Sequence, residues 1–96
     1  MITERAFFTI KPGEEEQFEA AVKEAKQFPE SIPGFISFEL HRGIESPSVY
    51  LLLIEWESVE AHMDGFRGSP KFAEWRGLIG PYFAADVDME HVTRVI

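Results

Sequence analysis

Cysteine is missing from all 96 residues. That excludes disulfides, thiolate nucleophiles and zinc or iron–sulfur centres held by sulfur. Positive charge is scarce too. Nine Lys and Arg stand against 17 Asp and Glu, for a formal net charge of -8. Nucleic acid and anionic membrane surfaces require a basic patch, so both are excluded as natural partners. No apolar run approaches the ~20 residues that span a bilayer. The opening "MITERAFFTI" is too short and too acidic for a signal peptide. Repeats, low-complexity tracts and linkers are also lacking. The expectation is a cytoplasmic, soluble protein with a single domain over residues 1–96.

What the chain does have is apolar and aromatic mass: 45% and 14% of residues, with nine Phe. That is a large load for one thin core, and it suggests a ligand cavity or a subunit interface. Residues 2–10 alternate and predict a strand. "KPGEEEQFEAAVKEAKQF" follows, with Phe18, Ala21, Val22 and Ala25 at helical spacing and three Glu in its first turn. "FISFELHR" alternates, Ile36, Phe38 and Leu40 on one face and Phe35, Ser37, Glu39 and His41 on the other. A "GIESPS" turn and "VYLLLIEW" complete a hairpin. Ser58 is a candidate cap for a helix carrying Val59, Met63 and Phe66. Ser69–Pro70 reads as a second cap, for a helix carrying Phe72, Trp75, Arg76 and Ile79. "DVDMEHVTRVI" predicts the last strand.

The order β-α-β-β-α-β predicts an α+β, ferredoxin-like chain with an antiparallel sheet and helices on one side. The third strand is apolar on both faces, Val49, Leu51 and Leu53 against Tyr50, Leu52, Ile54 and Trp56. Its own helices cover one face only, so a homodimer through the sheet is expected to cover the other.

The stretch "EWESVEAHMDGFRGSP" raises three chemistries. Glu57, Glu60, His62 and Asp64 contain no HExxH pattern, and His62 does not share the helical face of Glu60 and Asp64, so no metal site is expected. His41 and His91 lie on different strands with no ligand spacing. "GFRGSP" lacks the spacing and lysine of a phosphate loop and reads as a break between helices. Nucleophilic catalysis lacks both a Cys and a GxSxG motif. An organic pocket remains, in which Trp56, His62 and Arg76 converge between sheet and helices.

Trp56-Glu57-Ser58, Ala61-His62, Phe66, Ser69-Pro70, Glu74-Trp75-Arg76 and "PGFISFELHR" together resemble the antibiotic biosynthesis monooxygenase family, over essentially the whole chain. The resemblance implies a four-stranded ferredoxin-like chain paired into a dimeric α+β barrel. It also implies a cofactor-independent monooxygenase, without flavin, haem or metal, acting with dioxygen on a small aromatic phenol or hydroquinone or on a polyketide-type substrate. By position, the substrate-contacting tryptophan corresponds to Trp56, an active-site tyrosine to His62, the pocket arginine to Arg76 and a substrate-binding asparagine to Leu52. The haem-degrading branch of the superfamily fits less well. Its first-strand Asn is absent, and Phe66 and Arg76 stand at its Trp and haem-ligating His.

The expected roles are His62 as base, Arg76 as the charge that stabilises reduced oxygen, and Trp56 as the ring partner. Phe38, Leu52, Met63, Phe66, Phe72 and Trp75 are the expected walls. The alternatives are a dimeric binding module without chemistry, which Leu52 in place of the asparagine favours, or an isomerase or detoxifying enzyme of the same superfamily.

Overall fold

Alternation gives β1 (Ile2–Thr9) two unlike faces. Glu4, Ala6 and Phe8 are buried, whereas Thr3, Arg5, Phe7 and Thr9 lie on the more open side. The chain then crosses over through α1 (Glu15–Ala25) and a single turn, α2 (Gln27–Glu30). Phe18, Val22 and Ala25 form the buried stripe of α1, and Glu15 and Glu16 suit the positive end of its dipole. The crossover sets β2 (Phe35–Arg42) one strand-width away from β1. The hairpin partner β3 (Val49–Trp56) folds back into that gap and pairs antiparallel with both. A π-helical turn (Ala61–Phe66), α3 (Pro70–Ile79) and a 3-10 turn (Gly80–Tyr82) lead to β4 (Asp88–Val92), which joins the free edge of β1.

The result, in a computed structural model that describes Met1 to Ile96, is a four-stranded antiparallel sheet of order β2-β3-β1-β4 with helices on one face. This is the ferredoxin-like fold. Its smallest dimension of 20 Å equals one sheet plus one helical layer. The core lies between them, where Phe18 of α1 meets Phe8 and Tyr50 edge-on at 5.9 and 4.9 Å. Each such ring, removed from water, stabilises the fold by about 1.5–3 kcal/mol. No helix is long and apolar enough to cross a membrane.

Three details depart from the sequence reading. A bulge between Phe35 and Ser37 turns Phe35 to the helix side, where its ring meets Trp56 edge-on at 5.9 Å, while Ile36 is exposed. The extra residue breaks the simple alternation. Ser69 does not cap α3, because its hydroxyl donates to the Phe66 carbonyl at 2.8 Å. Pro70, which has no N–H to satisfy, starts the helix. β4 stops at Val92 rather than running to the last residue. As expected of a strand covered by its own helices on one side, β3 has Tyr50, Leu52, Ile54 and Trp56 buried, while Val49, Leu51 and Leu53 are half-exposed in the single chain.

Gly34 locks the entry to β2 against the π turn. Its φ is +94°, and a Cβ there would sit 2.7 Å from the Ala61 Cβ. Gly34→Ala should destabilise the fold by about 1–3 kcal/mol, a strained conformation and a clash adding together. Gly77→Ala, in helix α3 with nothing within 4 Å of the new Cβ, should instead stabilise by about 0.5–1 kcal/mol. Opposite shifts of the thermal midpoint distinguish the two; a Gly34→Ala protein as stable as the wild type would contradict the packing described.

Candidate active site

Glu4 is the one charged side chain on the inward face of β1, between the turn, β3 and β4. Trp56, the last residue of β3, donates its indole N–H to Glu4 Oε1 at 3.0 Å. His62 Nε2 lies 3.2 Å from the same oxygen, and His62 Nδ1 lies 2.8 Å from His91 Nε2. The imidazole of His62 is stacked on Trp56, with centroids 5.3 Å apart and 19° between planes. His91 reaches the cluster because Glu4 and His91 are cross-strand partners in the β1–β4 register.

The local backbone explains the position of His62. Ser58 accepts the Ala61 N–H at 3.1 Å and starts the turn. The Arg67 N–H then bonds to the His62 carbonyl at 2.9 Å, five residues back, so the turn is wider than an α-helix. That register sends His62 and Phe66 inward, 2% and 2% exposed, and leaves Val59 and Met63 at 37% and 36%. The expected stripe of Val59, Met63 and Phe66 is corrected accordingly.

Beside Glu4 and His62 opens a cavity of about 540 Å³. Phe8, Phe72, Trp75, Phe83 and Met89 supply apolar wall, and Arg67, Arg76 and Asp86 supply charge. Arg76 sits exposed at the rim with its guanidinium 5.2 Å from the Phe83 ring centre, and Arg67 covers Phe72 at 5.0 Å. Among the residues singled out from sequence, His62, Arg76, Phe72 and Trp75 therefore meet at this cavity. Trp56 lies one layer behind, fully buried, and reaches it only through Glu4 and His62. Phe66 is packed behind as well, edge-on to Phe72 at 5.5 Å. Phe38 touches the far side of Trp75, Leu52 is buried in the core, and Met63 points outward, so none of these three is wall. The apolar Leu52 thus has no bearing on whether the cavity is polar.

Glu4 and His91 were missed. The signal for Glu4 was present: Ile2, Ala6, Phe8 and Ile10 share its face, and a carboxylate there is alone among apolar neighbours. Burial pushes its carboxyl up from 4.5 to about 7; the Trp56 hydrogen bond and the Arg67 charge pull it part of the way back. Burial also pushes His62 down to about 4, helped by His91 and Arg67. Near neutral pH His62 is a neutral ring whose Nδ1 meets His91, and Glu4 is poised between its two forms. Both Glu4 and His62 line the cavity. The Glu4 Oε1 oxygen takes both contacts. No buried side-chain oxygen lacks a partner, and Oε2 has none, so Oε2 opens to the cavity that Glu4 lines.

The shift also appears in stability. Unfolded, Glu4 ionises near 4.5; folded, near 7. Between those values the native state holds a proton the unfolded chain has lost, so stability falls as pH rises through this window, by at most about 3 kcal/mol. His62 acts in the opposite direction, costing stability as pH falls from 6.5 towards 4. Glu4→Gln keeps the acceptor for Trp56 and removes only the Glu4 component. Its stability relative to wild type, from urea midpoints, should rise by about 1–3 kcal/mol between about pH 4 and pH 8. A difference that does not change with pH would contradict the burial of an ionising Glu4.

Comparison with known proteins agrees with this architecture. The sequence pattern of the antibiotic biosynthesis monooxygenases matches residues 1–78. YczJ of Bacillus subtilis (strain 168), an uncharacterized protein, is 37% identical over 91 residues, covering 95% of this chain and 96% of its own. A crystal structure from Bordetella bronchiseptica, named after the same family, superposes with a TM-score of 0.96 at 40% identity, covering 99% of this chain and 97% of that one. SnoaB of Streptomyces nogalater, a cofactor-independent oxygenase, superposes with a TM-score of 0.85 at 19% identity over 99% of this chain and 93% of its own, a likeness of fold. With its sheet order, its cavity between sheet and helices and these matches, the chain belongs to the antibiotic biosynthesis monooxygenase family.

Proposed function

We propose that the chain is a cofactor-independent monooxygenase that oxidises a small electron-rich phenol, hydroquinone or anthrone with dioxygen, with Glu4 as its base. One observation carries this reading: a carboxyl tuned to about 7 opens onto an aromatic-walled cavity with two guanidinium groups at its edge. A general base is most effective when its pKa lies near the working pH.

The chemistry balances without an external reductant. Glu4 Oε2 takes the phenolic proton. The electron-rich anion passes one electron to dioxygen, and the radical and superoxide recombine into a C–O bond. The peroxide anion takes the proton back from Glu4, and the hydroperoxide loses water to leave a carbonyl. One oxygen atom stays in the quinone and the other leaves as water. Arg67 and Arg76 supply fixed positive charge for the superoxide and peroxide, in a site where low dielectric strengthens it. Phe72, Phe83 and Trp75 hold the ring and exclude water. Trp56 and His62 hold Glu4 rather than the substrate.

The half-exposed Val49, Leu51, Leu53 and the exposed Phe7 on the outer sheet face support a second copy of the chain as its cover. Arg5, paired at 2.9 Å with Glu90, lies on that face as well.

Dioxygen uptake with a panel of naphtho- and anthra-hydroquinones and anthrones tests the activity. Glu4→Gln should lower kcat/KM by roughly two to four orders of magnitude, and the wild-type value should rise with pH through about 7. Absence of uptake across the panel, or full activity in Glu4→Gln, would overturn the assignment. For the assembly, light scattering should give a dimer for wild type and a monomer for Leu53→Arg. A monomeric wild type would end the proposal of a sheet-to-sheet pair.

A further inference from the structure

The reaction at Glu4 calls for fixed positive charge, and the cavity carries two guanidinium groups. They come from opposite ends of α3. Arg67 lies three positions before its first residue, next to the turn that holds His62, and Arg76 stands in its last turn. Pro70 and Arg76 are ~9 Å apart along the helix axis, at 1.5 Å per residue. Each guanidinium lies over a different ring, Arg67 over Phe72 at 5.0 Å and Arg76 over Phe83 at 5.2 Å. The charge that acts on Glu4 and His62 is that of Arg67. Arg76 has no part in that cluster.

The arginines away from the cavity all have acceptors in the chain. Arg5 pairs with Glu90 and Asp88, Arg42 with Glu19 and the Pro47 carbonyl, and Arg94 with the Ile96 carbonyl. Arg67 and Arg76 have neither an ion pair nor a side-chain hydrogen bond. Acids are not scarce: the chain has 17, and one of them, Asp86, lines the same cavity and pairs with neither guanidinium. The charge of Arg67 is spent on the Glu4 carboxylate. That of Arg76 is spent on nothing in the protein. A planar fork of N–H donors, held over Phe83 at the rim of an aromatic cavity, is complementary to a planar anion carried by an aromatic ligand.

We infer that the cavity takes an aromatic acid, with a ring hydroxyl at Glu4 and a carboxylate on Arg76, and that Arg76 is the residue that selects it. The inference rests on the reading of this cavity as the substrate site with Glu4 at its polar end, and not on oxygen chemistry. In a chain of net charge -8, an anion is admitted only where local positive charge outweighs the general repulsion, and two guanidinium groups without acid partners provide that at one place. A carboxylate fixed at the rim also decides which hydroxyl of the ring system meets Glu4. Binding energy from a part of the ligand that does not react is thereby used to orient the part that does.

Calorimetry without dioxygen tests this by binding alone. The probes are 6-hydroxy-2-naphthoic acid, whose hydroxyl and carboxyl lie at opposite ends of a fused ring, and its methyl ester, at about pH 8, where the acid is ionised. The acid should bind about tenfold more tightly than the ester. Arg76→Gln should remove the difference by weakening the acid alone, with unchanged binding of the ester reporting an intact cavity. Arg76→Lys should recover part of the preference, since the charge returns without the fork. Arg67→Gln should keep it. Equal binding of acid and ester, a preference that survives in Arg76→Gln, or no binding of either probe would overturn the assignment. A preference for the acid with no dioxygen uptake from any hydroquinone would end the proposed reaction and leave this assignment standing. Uptake that makes no distinction between acidic and neutral hydroquinones would do the reverse.

Discussion

The hydrogen bond from Trp56 to Glu4 is the contact on which the site depends. It joins the end of β3 to the middle of β1 and keeps a carboxyl inside an otherwise apolar layer. A buried carboxyl without partners costs several kcal/mol, so it survives only where donors converge on it. Trp56 supplies one donor and presents the flat surface on which His62 stacks. His62 in turn touches Glu4 and His91, and Phe66 packs behind. Removal of the indole leaves a buried acid with one fewer donor and an imidazole with no plate beneath it. The cavity wall is thus assembled outward from a single polar contact in the sheet.

Two demands act on Glu4 in opposite directions. Burial alone would hold the carboxyl neutral, whereas the indole N–H and the Arg67 charge favour the carboxylate. Their near balance leaves the group responsive at neutral pH, which neither influence would achieve alone. The neighbouring histidine shows what an uncompensated position does. His62 has no comparable stabilisation of its charged form, and it is driven far from the range in which a free imidazole titrates.

The fold was legible because its signals are periodic. Alternation in β1 and β3, the Phe18-Val22-Ala25 stripe and Pro70 at the start of α3 all speak through local geometry. Where the period is interrupted, the reading slipped. The bulge at Phe35 exchanged the faces of Phe35 and Ile36 while Phe38 and Leu40 kept theirs, and the π turn put His62 inward in place of Met63, beside Phe66. The site was legible in part. Trp56, His62 and Arg76 were marked by residue type and by resemblance, and His62 and Arg76 do reach one cavity. His91 was not legible, since its place depends on the register that sets β4 against β1. Glu4 was legible in principle, as the single charge on the inward face of β1. The mistake lay in weighing acidic residues by their clustering when the informative one stood by itself.

The π turn has a bearing on how such cavities diversify. It carries one more residue than an α-turn needs, and such a surplus is gained or lost by a single-codon insertion or deletion. Loss of one residue between Ala61 and Phe66 would restore ordinary helical geometry and rotate every following side chain by about 100° relative to the sheet. Another set of side chains would then face the cavity, and Phe66, Trp75 and Ile79, which follow in the core, would have to repack while the strands keep their pairing. In this scaffold a change of length in one short turn can replace the chemistry of the wall, so descendants with a common fold need not have inherited a common reaction.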